Sequence, residues 1–191
     1  LSDFTGVFVA KTGSDAGLGT MTDPLLTIAA GVNLAEASGK SVFVAAGEYA
    51  ESVYTSASLF GGYDAACWGR NIDANETKIV ASGDASAVKV PFGAVAGVQG
   101  FTLDGSTGRG APWPCNSICA YGVRIEEGAT VTVADNDIIA GAIDEPVEGS
   151  TVGVLVGLGI NQYPARAIIV GNDIDGGSGG SMSGRRSFSK G

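Results

Sequence analysis

Short segments in which apolar and polar residues alternate follow one another along most of this chain. Nine such segments occur after Gly39, and each is bounded by Gly, Asp or Asn. A period of two is typical of β-strands with one buried face. The pattern therefore predicts strands in SVFVAAGEY, SVYTSASLFGGY, TKIVASG, SAVKV, VQGFTLDG, YGVRIEEG, TVTVADNDI, VGVLVGLG and RAIIVGNDI.

One segment before Gly39 has helical spacing instead. From Leu25 onward, apolar residues recur every three or four positions, which predicts an amphipathic helix near Leu25–Ala37. Thr22 or Asp23 can cap its N-terminus, with Pro24 at the first helical position. Gly39 suits the position that follows a helix C-terminus.

The strands group into repeating units. The phrase Asn-Asp-Ile begins at Asn136 and again at Asn172, 36 positions later (172 − 136). Related units begin at Ala87, Gly122 and Gly153, at intervals of 35 (122 − 87) and 31 (153 − 122) residues. Self-similarity on this scale indicates a solenoid. We therefore predict an all-β fold, a single-stranded parallel β-helix of about four coils, with an N-terminal capping α-helix.

Stacking of the coils aligns equivalent residues about 4.8 Å apart. Asn136 and Asn172 fall at a turn, where asparagine tolerates left-handed backbone geometry and can bond to its counterpart one coil away. We predict that they form a structural ladder and have no catalytic role. The predicted inward rows are Val98 with Val133 and Ile169, and Leu103 with Ile138 and Ile174.

A β-sandwich or barrel also fits short strands separated by glycine turns. Neither fold requires a repeat with matched inward positions, and neither explains the leading helix as well. The predicted organisation is a β-helix domain over residues 1–177, with its cap in residues 1–40. A Gly/Ser-rich tail over residues 178–191 is too low in complexity to order itself.

The net charge of the chain disfavours several classes of binding partner. The 191 residues carry a net charge of −9, although only 16% of them are charged. Such a surface repels nucleic acid and anionic membranes, and it disfavours a polyanionic substrate unless a cation bridges the two. No apolar run reaches the roughly 18 residues that a membrane span needs. We expect neither a nucleic-acid partner nor membrane insertion.

The chain has three cysteines, Cys67, Cys115 and Cys119, and no histidine. The spacing in CNSIC does not match a zinc knuckle. We predict one structural disulfide among the three cysteines and one spare thiol. A disulfide would imply an oxidising compartment.

The segment from Phe8 to Val53 resembles the opening of bacterial pectin-lyase-like, right-handed parallel β-helix proteins. In that pattern a strand leads to Gly-Ser-Asp, Gly-Thr and Pro-Leu-x-Thr-Ile, then to a helix and a strand ending like AAGEYAESV. The phrase LFGGYDAACWGRN resembles the next segment of secreted, surface-associated members. The resemblance implies a right-handed coil and an extracellular setting, secreted or at the cell surface, but no particular function. The matching residues are Gly13, Ser14, Asp15, Gly19, Thr20, Pro24, Leu25, Thr27, Ile28, Gly47, Tyr49 and Glu51.

Enzymes that share this fold include polysaccharide lyases, which use an Arg or Lys base with Ca²⁺-binding carboxylates, and hydrolases, which pair two acids about 5–10 Å apart. Asp137 and Asp173 would stack on adjacent coils, with Asp104, Asp135 and Asp175 close by. The favoured interpretation is a solvated row at the turn. The rival interpretation makes Asp137 and Asp173 a catalytic acid pair or a Ca²⁺ site. We expect no other cofactor.

The loop from Ser106 to Cys119 is long for a coil turn, and long loops in compact domains tend to carry function. It contains Trp113 and Arg109, while Trp68 lies beside Cys67. A disulfide from Cys67 to Cys115 or Cys119 would bring the two tryptophans together. Exposed indole faces stack on sugar rings, so Trp113, Trp68 and Arg109 are candidate ligand-binding residues. The favoured interpretation is a stapled loop in which both indoles pack on the coil.

The function expected from these features is that of a non-catalytic, secreted or cell-surface recognition or scaffolding module, with polysaccharide as the expected ligand class. The alternative is a polysaccharide lyase or glycoside hydrolase, complete or truncated. No cap is predicted after Asp175. We therefore expect the last coil, near Ala167–Ile174, to meet another chain end-to-end or to be followed by further coils.

Overall fold

The computed structural model of the chain describes residues 1–107, 118–141, 149–157 and 163–177. One helix, α1 (Ile28–Ser38), lies between the first two strands. The strands are β1 (Gly6–Val9), β2 (Ser41–Ala45), β3 (Gly47–Ala50), β4 (Val53–Tyr54), β5 (Leu59–Tyr63), β6 (Thr77–Val80), β7 (Ser86–Val90), β8 (Val95–Gln99), β9 (Thr102–Asp104), β10 (Ile118–Ile125), β11 (Thr130–Ala134), β12 (Asp137–Ile139), β13 (Gly149–Val156), β14 (Arg166–Val170) and β15 (Asp173–Asp175).

These strands form three parallel sheets. Sheet A has the order β1-β2-β5-β8-β11-β14, sheet B the order β15-β12-β9-β6-β3, and sheet C the order β13-β10-β7-β4. Successive strands after β1 enter the three sheets in turn, so each coil contributes one strand to each sheet. The four complete coils begin at β2, β5, β8 and β11. The predicted parallel β-solenoid of about four coils is therefore confirmed, and the sandwich and barrel alternatives are wrong.

The core lies between the three sheets and follows the predicted rows. Val133 pairs in register with Val98 and with Ile169, and Ile138 pairs in the same way with its counterparts in β9 and β15. The members of these rows in the middle coils are fully buried. In the last coil, Ile169 and Ile174 are 44% and 43% exposed, because no strand of the described chain stacks beyond β14 and β15.

The helix begins later than the sequence pattern predicts. Its N-cap is Thr27, not Thr22 or Asp23. Leu25 is buried and forms a parallel bridge with Val9, so the chain is still extended where the pattern predicts the first helical turn. The apolar residue at position 25 thus extends the sheet instead of joining the buried face of the helix.

Helix α1 packs against the first coil along one face. Gly31 allows the helix to approach β1 closely, because a Cβ atom there would lie only 2.6 Å from the Cγ2 atom of Val9. Gly39 ends the helix in the left-handed conformation (φ 67°), as predicted. No helix in the described ranges is long and apolar enough to cross a membrane. The buried face comprises Ile28, Gly31, Val32 and Ala35.

Candidate functional site

The turn that joins sheet A to sheet B has the same backbone form in three successive coils. Its left-handed residue is Gly100, Asp135 or Gly171, with φ values of 78°, 53° and 67°. Asn136 and Asn172 each follow that residue. The expectation that the asparagines themselves take the left-handed conformation is therefore wrong, and their role lies in their side chains.

The two asparagine side chains form a hydrogen-bonded ladder between coils. The Nδ2 atom of Asn136 donates to Oδ1 of Asn172 (2.9 Å) and to the carbonyl of Val98 (2.9 Å). Its Oδ1 atom accepts from the N–H of Phe101 at 3.0 Å. In the next coil, Nδ2 of Asn172 donates to the carbonyl of Val133 at 2.8 Å. Since Asn136 is only 3% exposed, its amide satisfies backbone groups that water does not reach.

A groove of about 300 Å³ opens beside this ladder. One wall is the loop before β6, and the other is the row of turns at the start of β9, β12 and β15. Exposed apolar surface in the groove comes from Ile72, which is 38% exposed. No lysine or arginine is among the described residues that line it. Its carboxylates are those of Asp73, Glu76, Asp135, Asp137 and Asp173.

Asp137 and Asp173 are neighbours in this groove. They are register partners on β12 and β15, so their backbones lie about 4.8 Å apart. Both side chains are exposed, and each backbone N–H donates to a carbonyl of the preceding coil. Among the described residues, no three side chains of Asp, Glu or Cys form a metal-ligating group. The Ca²⁺ site therefore stays a prediction, and what these residues present is a pair of hydrogen-bond acceptors.

Asp135 completes the acidic turn row. Its Oδ2 atom accepts from Nε2 of Gln99 at 2.7 Å, and the Oδ1 atom lies against Gly171. A side chain at Gly171 would collide with this carboxylate, so the glycine is required both by its positive φ and by the close approach. The carboxylate of Asp135 is thus held at the edge of the groove.

The other two predicted neighbours take no part in the groove. Asp104 forms an ion pair with Lys78 (2.9 Å) and accepts hydrogen bonds from Ser106. Burial alone would raise the pKa of Asp104, but these hydrogen bonds together outweigh it and hold the pKa below its usual value. Asp175 accepts from the backbone N–H of Gly177. Neither aspartate lines the groove.

Trp68 does not present a sugar-binding face. Its side chain is only 7% exposed. The Nε1 atom donates to the carbonyl of Met21 at 3.0 Å, and the ring meets Phe8 edge-on with centroids 4.7 Å apart. The favoured interpretation, in which the indole packs on the coil, is therefore confirmed for Trp68. Trp113 and Arg109 lie outside the described residues.

The disulfide options that involve Cys67 are not formed. Cys67 is an exposed, free thiol, so the predicted disulfide from Cys67 to Cys115 or Cys119 is not formed. Cys119 is fully buried, in a small cluster with Ala85 and Tyr121 outside the main core. Cys115 lies outside the described residues.

Two of the three arginines in the described chain have partners outside the groove. Arg70 donates from Nε to the carbonyl of Gly61 (2.9 Å) and lies over the ring of Tyr63. Arg124 lies 3.6 Å from Glu126 in an ion pair on sheet C. Neither guanidinium lines the acidic groove.

No family model, curated protein or solved structure matches this chain. What is shown is the fold, a parallel β-solenoid with one helix near its N-terminus.

The residues that carry the N-terminal resemblance have structural roles here. The Oδ1 atom of Asp15 accepts from the backbone N–H groups of Leu26 (2.9 Å) and Thr27 (2.8 Å). Glu51 accepts from the next two N–H groups, those of Ile28 (2.8 Å) and Ala29 (2.9 Å). Two carboxylates from distant loops thus bind the positive end of α1. This part of the chain builds the cap and supplies no reactive group to the groove.

The wall of the groove that is formed by the loop before β6 was not predicted from the sequence. Asp73 and Glu76 belong to a loop with no repeat phrase and no alternation. Only the pairing of β6 with β9 shows that this loop stands beside Thr102 and the aspartate row. The acidic composition of the segment NIDANET was the available signal, and it does not indicate a position in the fold.

Proposed function

We propose that this protein is a non-catalytic recognition module, secreted or cell-surface, that binds a neutral or amino-sugar-containing carbohydrate in its acidic groove. The observation that carries the proposal is the groove itself, in which five carboxylates and no described cation surround a space of about 300 Å³. The N-terminal resemblance to pectin-lyase-like proteins supports the extracellular setting. The solenoid supplies a rigid surface for repeated contacts.

The chemistry of the groove suits a ligand that is rich in donors. Ionised carboxylates accept hydrogen bonds and cannot donate them, so they pair with sugar hydroxyls and with protonated amino groups. They repel the carboxylates of a uronic acid polymer. Ile72 offers an apolar patch against which the face of a sugar ring can pack. Neutral glycans and amino sugars are therefore the favoured ligands.

The groove is also preorganised. Asp135 and Asp137 flank Asn136, whose side chain fixes the turn through three hydrogen bonds. Acceptors held on such a support lose little conformational entropy when they bind a ligand. Acceptors carried on a fixed backbone, without a described cationic group, suit a recognition role.

The second candidate function is glycoside hydrolysis. Asp137 and Asp173 occupy adjacent coils, and the carboxyl groups of retaining hydrolases stand about 5–5.5 Å apart. A hydrolase is favoured over a lyase for a separate reason. A lyase needs an Arg or Lys base, and none of the described residues that line the groove supplies one.

A glycan array with neutral, amino-sugar and uronic acid glycans tests the proposal. We expect wild type to bind members of the first two classes, and the double variant Asp137→Asn/Asp173→Asn to lose at least tenfold in affinity. Glu48→Gln is the matched control, because Glu48 belongs to the same outward row of sheet B but lies three coils away from Asp137. Parallel arrays in Ca²⁺ and in EDTA test the predicted metal site.

An activity assay on the same glycans separates the two functions. Reducing ends and unsaturated products are measured after prolonged incubation. The recognition module leaves every glycan intact. Product that wild type releases, and that the Asp137→Asn/Asp173→Asn variant does not, would establish the hydrolase or lyase instead.

A further inference from the structure

The end of the solenoid opposite α1 exposes both apolar side chains and strand edges. Strands β13, β14 and β15 each stand last in their sheet, so the described chain pairs them on one side only. We call this surface the end face and define it by these three strands. On it, the inward-row residues Ile169 and Ile174 are 44% and 43% exposed, although their partners one coil back are fully buried.

The hydrogen-bonded ladder shows what chemistry fits this face. The N–H of Phe101 donates to Oδ1 of Asn136, and the N–H of Asn136 donates to Oδ1 of Asn172, both at 3.0 Å. The coils that begin at β8 and β11 therefore each take a side-chain amide oxygen from the coil that follows. Within the described chain, the N–H of Asn172 has no corresponding acceptor. Within the described chain, the ladder thus ends in a backbone donor, the N–H of Asn172.

We propose that the end face binds a parallel β-coil of a different protein, and that this coil presents a side-chain amide oxygen to the N–H of Asn172. Apolar side chains of that coil cover Ile169 and Ile174, and its strands pair with β14 and β15. Pairing of this kind supplies main-chain hydrogen bonds for affinity, while the amide and the apolar positions supply specificity.

A second copy of this chain is a poorer occupant. The outer edge of β1 is already used, because the N–H of Phe8 donates to Gly19 and the N–H of Leu25 donates to Phe8. In sheet A a second copy therefore offers no open first-strand edge to β14, and a contact between two end faces would bring the acidic pair Asp173 and Asp175 of one copy close to that of the other. The net charge of −9 adds to that repulsion.

The outward-facing row of sheet B indicates which side chain the partner coil should place next to Asp173. This outward row runs Glu48, Lys78, Thr102, Asp137, Asp173. At Lys78 a cation lies in the row and pairs with a carboxylate of the next coil, at 2.9 Å. A lysine or arginine in the partner coil would neutralise Asp173 in the same manner. The favoured partner thus combines an amide, apolar residues and one cation.

Fluorescent peptides test this proposal on the full chain. The parent peptide is ATVTVADNDIIAG, residues 129–141 of the chain, which contains one complete copy of the turn phrase. Its second form carries Asp137→Lys, and its third form carries both Asp137→Lys and Asn136→Ala. Anisotropy measures the affinity of each peptide, and amide hydrogen exchange locates the contact. Ile169→Lys serves as the end-face variant and Val95→Lys as the control, because Val95 is an exposed strand residue elsewhere.

We expect the lysine peptide to bind saturably and at least fivefold more tightly than the parent peptide at low salt. Loss of the asparagine should weaken binding about tenfold, and Ile169→Lys, shown to be folded by circular dichroism, should abolish it. Protection from exchange should be confined to β14 and β15. No saturable binding by wild type, equal binding of the asparagine and alanine peptides, or dimers of wild type that exclude the peptide would each overturn the proposal.

Discussion

Asn136 compensates locally for a gap in the backbone hydrogen bonding of the turn. The chain leaves one sheet and enters the next there, and the side chain of Asn136 contacts two backbone groups of the preceding coil, the carbonyl of Val98 and the N–H of Phe101. The amide of Asn136 supplies a donor to the first and an acceptor to the second. One side chain thereby bonds to two backbone groups at the turn.

We predict that Asn136→Ala lowers the free energy of unfolding by about 2–4 kcal/mol, because each buried polar group left without a partner costs about 1–3 kcal/mol. Asn172→Ala should cost less, since Asn172 is only partly buried and belongs to the last described coil. Urea denaturation measures both values. A loss below about 0.5 kcal/mol for Asn136→Ala would show that the ladder is not needed for stability.

The thiols give a second prediction for single residues. Because Cys67 is free and exposed, we predict that the one disulfide expected from the sequence joins Cys115 and Cys119. Alkylation of the native protein without reductant should then modify one thiol per chain, and peptide mass mapping should place it at Cys67. Three modified thiols would remove the argument for an oxidising compartment.

At the scale of elements, helix α1 depends on carboxylates that are distant in sequence. Thr27 caps the helix locally, and Asp15 and Glu51 bind the four N–H groups of residues 26–29, which span the N-cap and the start of the first turn. Burial by itself would raise the pKa of Asp15, but the hydrogen bonds from Thr27 and Leu26 outweigh it, so the pKa lies below its ordinary value. The ionised form of Asp15 is therefore favoured by folding.

The sign of the pH dependence follows from this lowered pKa. Asp15 contributes its full stabilisation above its ordinary pKa of about 3.9 and loses it as the pH falls through the lower pKa of the folded state. We predict that the gap in stability between wild type and Asp15→Asn is constant at neutral pH and narrows below about pH 4. Urea denaturation across this pH range tests it, with Glu48→Gln as control. A gap that stays constant down to pH 2 would contradict the proposed role of the Asp15 carboxylate.

The elements also show where a sequence pattern is informative and where it is not. Alternation and a repeat of about 36 residues predict the strands and the inward rows, because stacking constrains every coil in the same manner. The start of α1 was misplaced, because Leu25 fits a helical stripe and a sheet edge equally well. Only the tertiary bridge to Val9 decides between the two.

For the whole molecule, the repeat explains half of the candidate site. Asp137 and Asp173 could be placed side by side from the repeat alone, because they occupy equivalent positions in adjacent coils. Asp73 and Glu76 could not, since their loop is specific to one coil. The burial of Trp68 agrees with the interpretation favoured from the sequence, but its contact with Phe8 in the first strand depends on the tertiary fold and could not be predicted.

The central claim is that the acidic groove binds a carbohydrate and leaves it unchanged. The most direct test is a calorimetric titration of wild type with the neutral or amino-sugar oligosaccharide that binds best. The glycan is then recovered from the calorimeter's sample cell and examined by mass spectrometry. The account predicts saturable binding with an intact glycan, at least tenfold weaker binding by Asp137→Asn/Asp173→Asn, and unchanged binding by Glu48→Gln. Equal binding by the double variant, or a cleaved glycan recovered from wild type but not from the double variant, would contradict it.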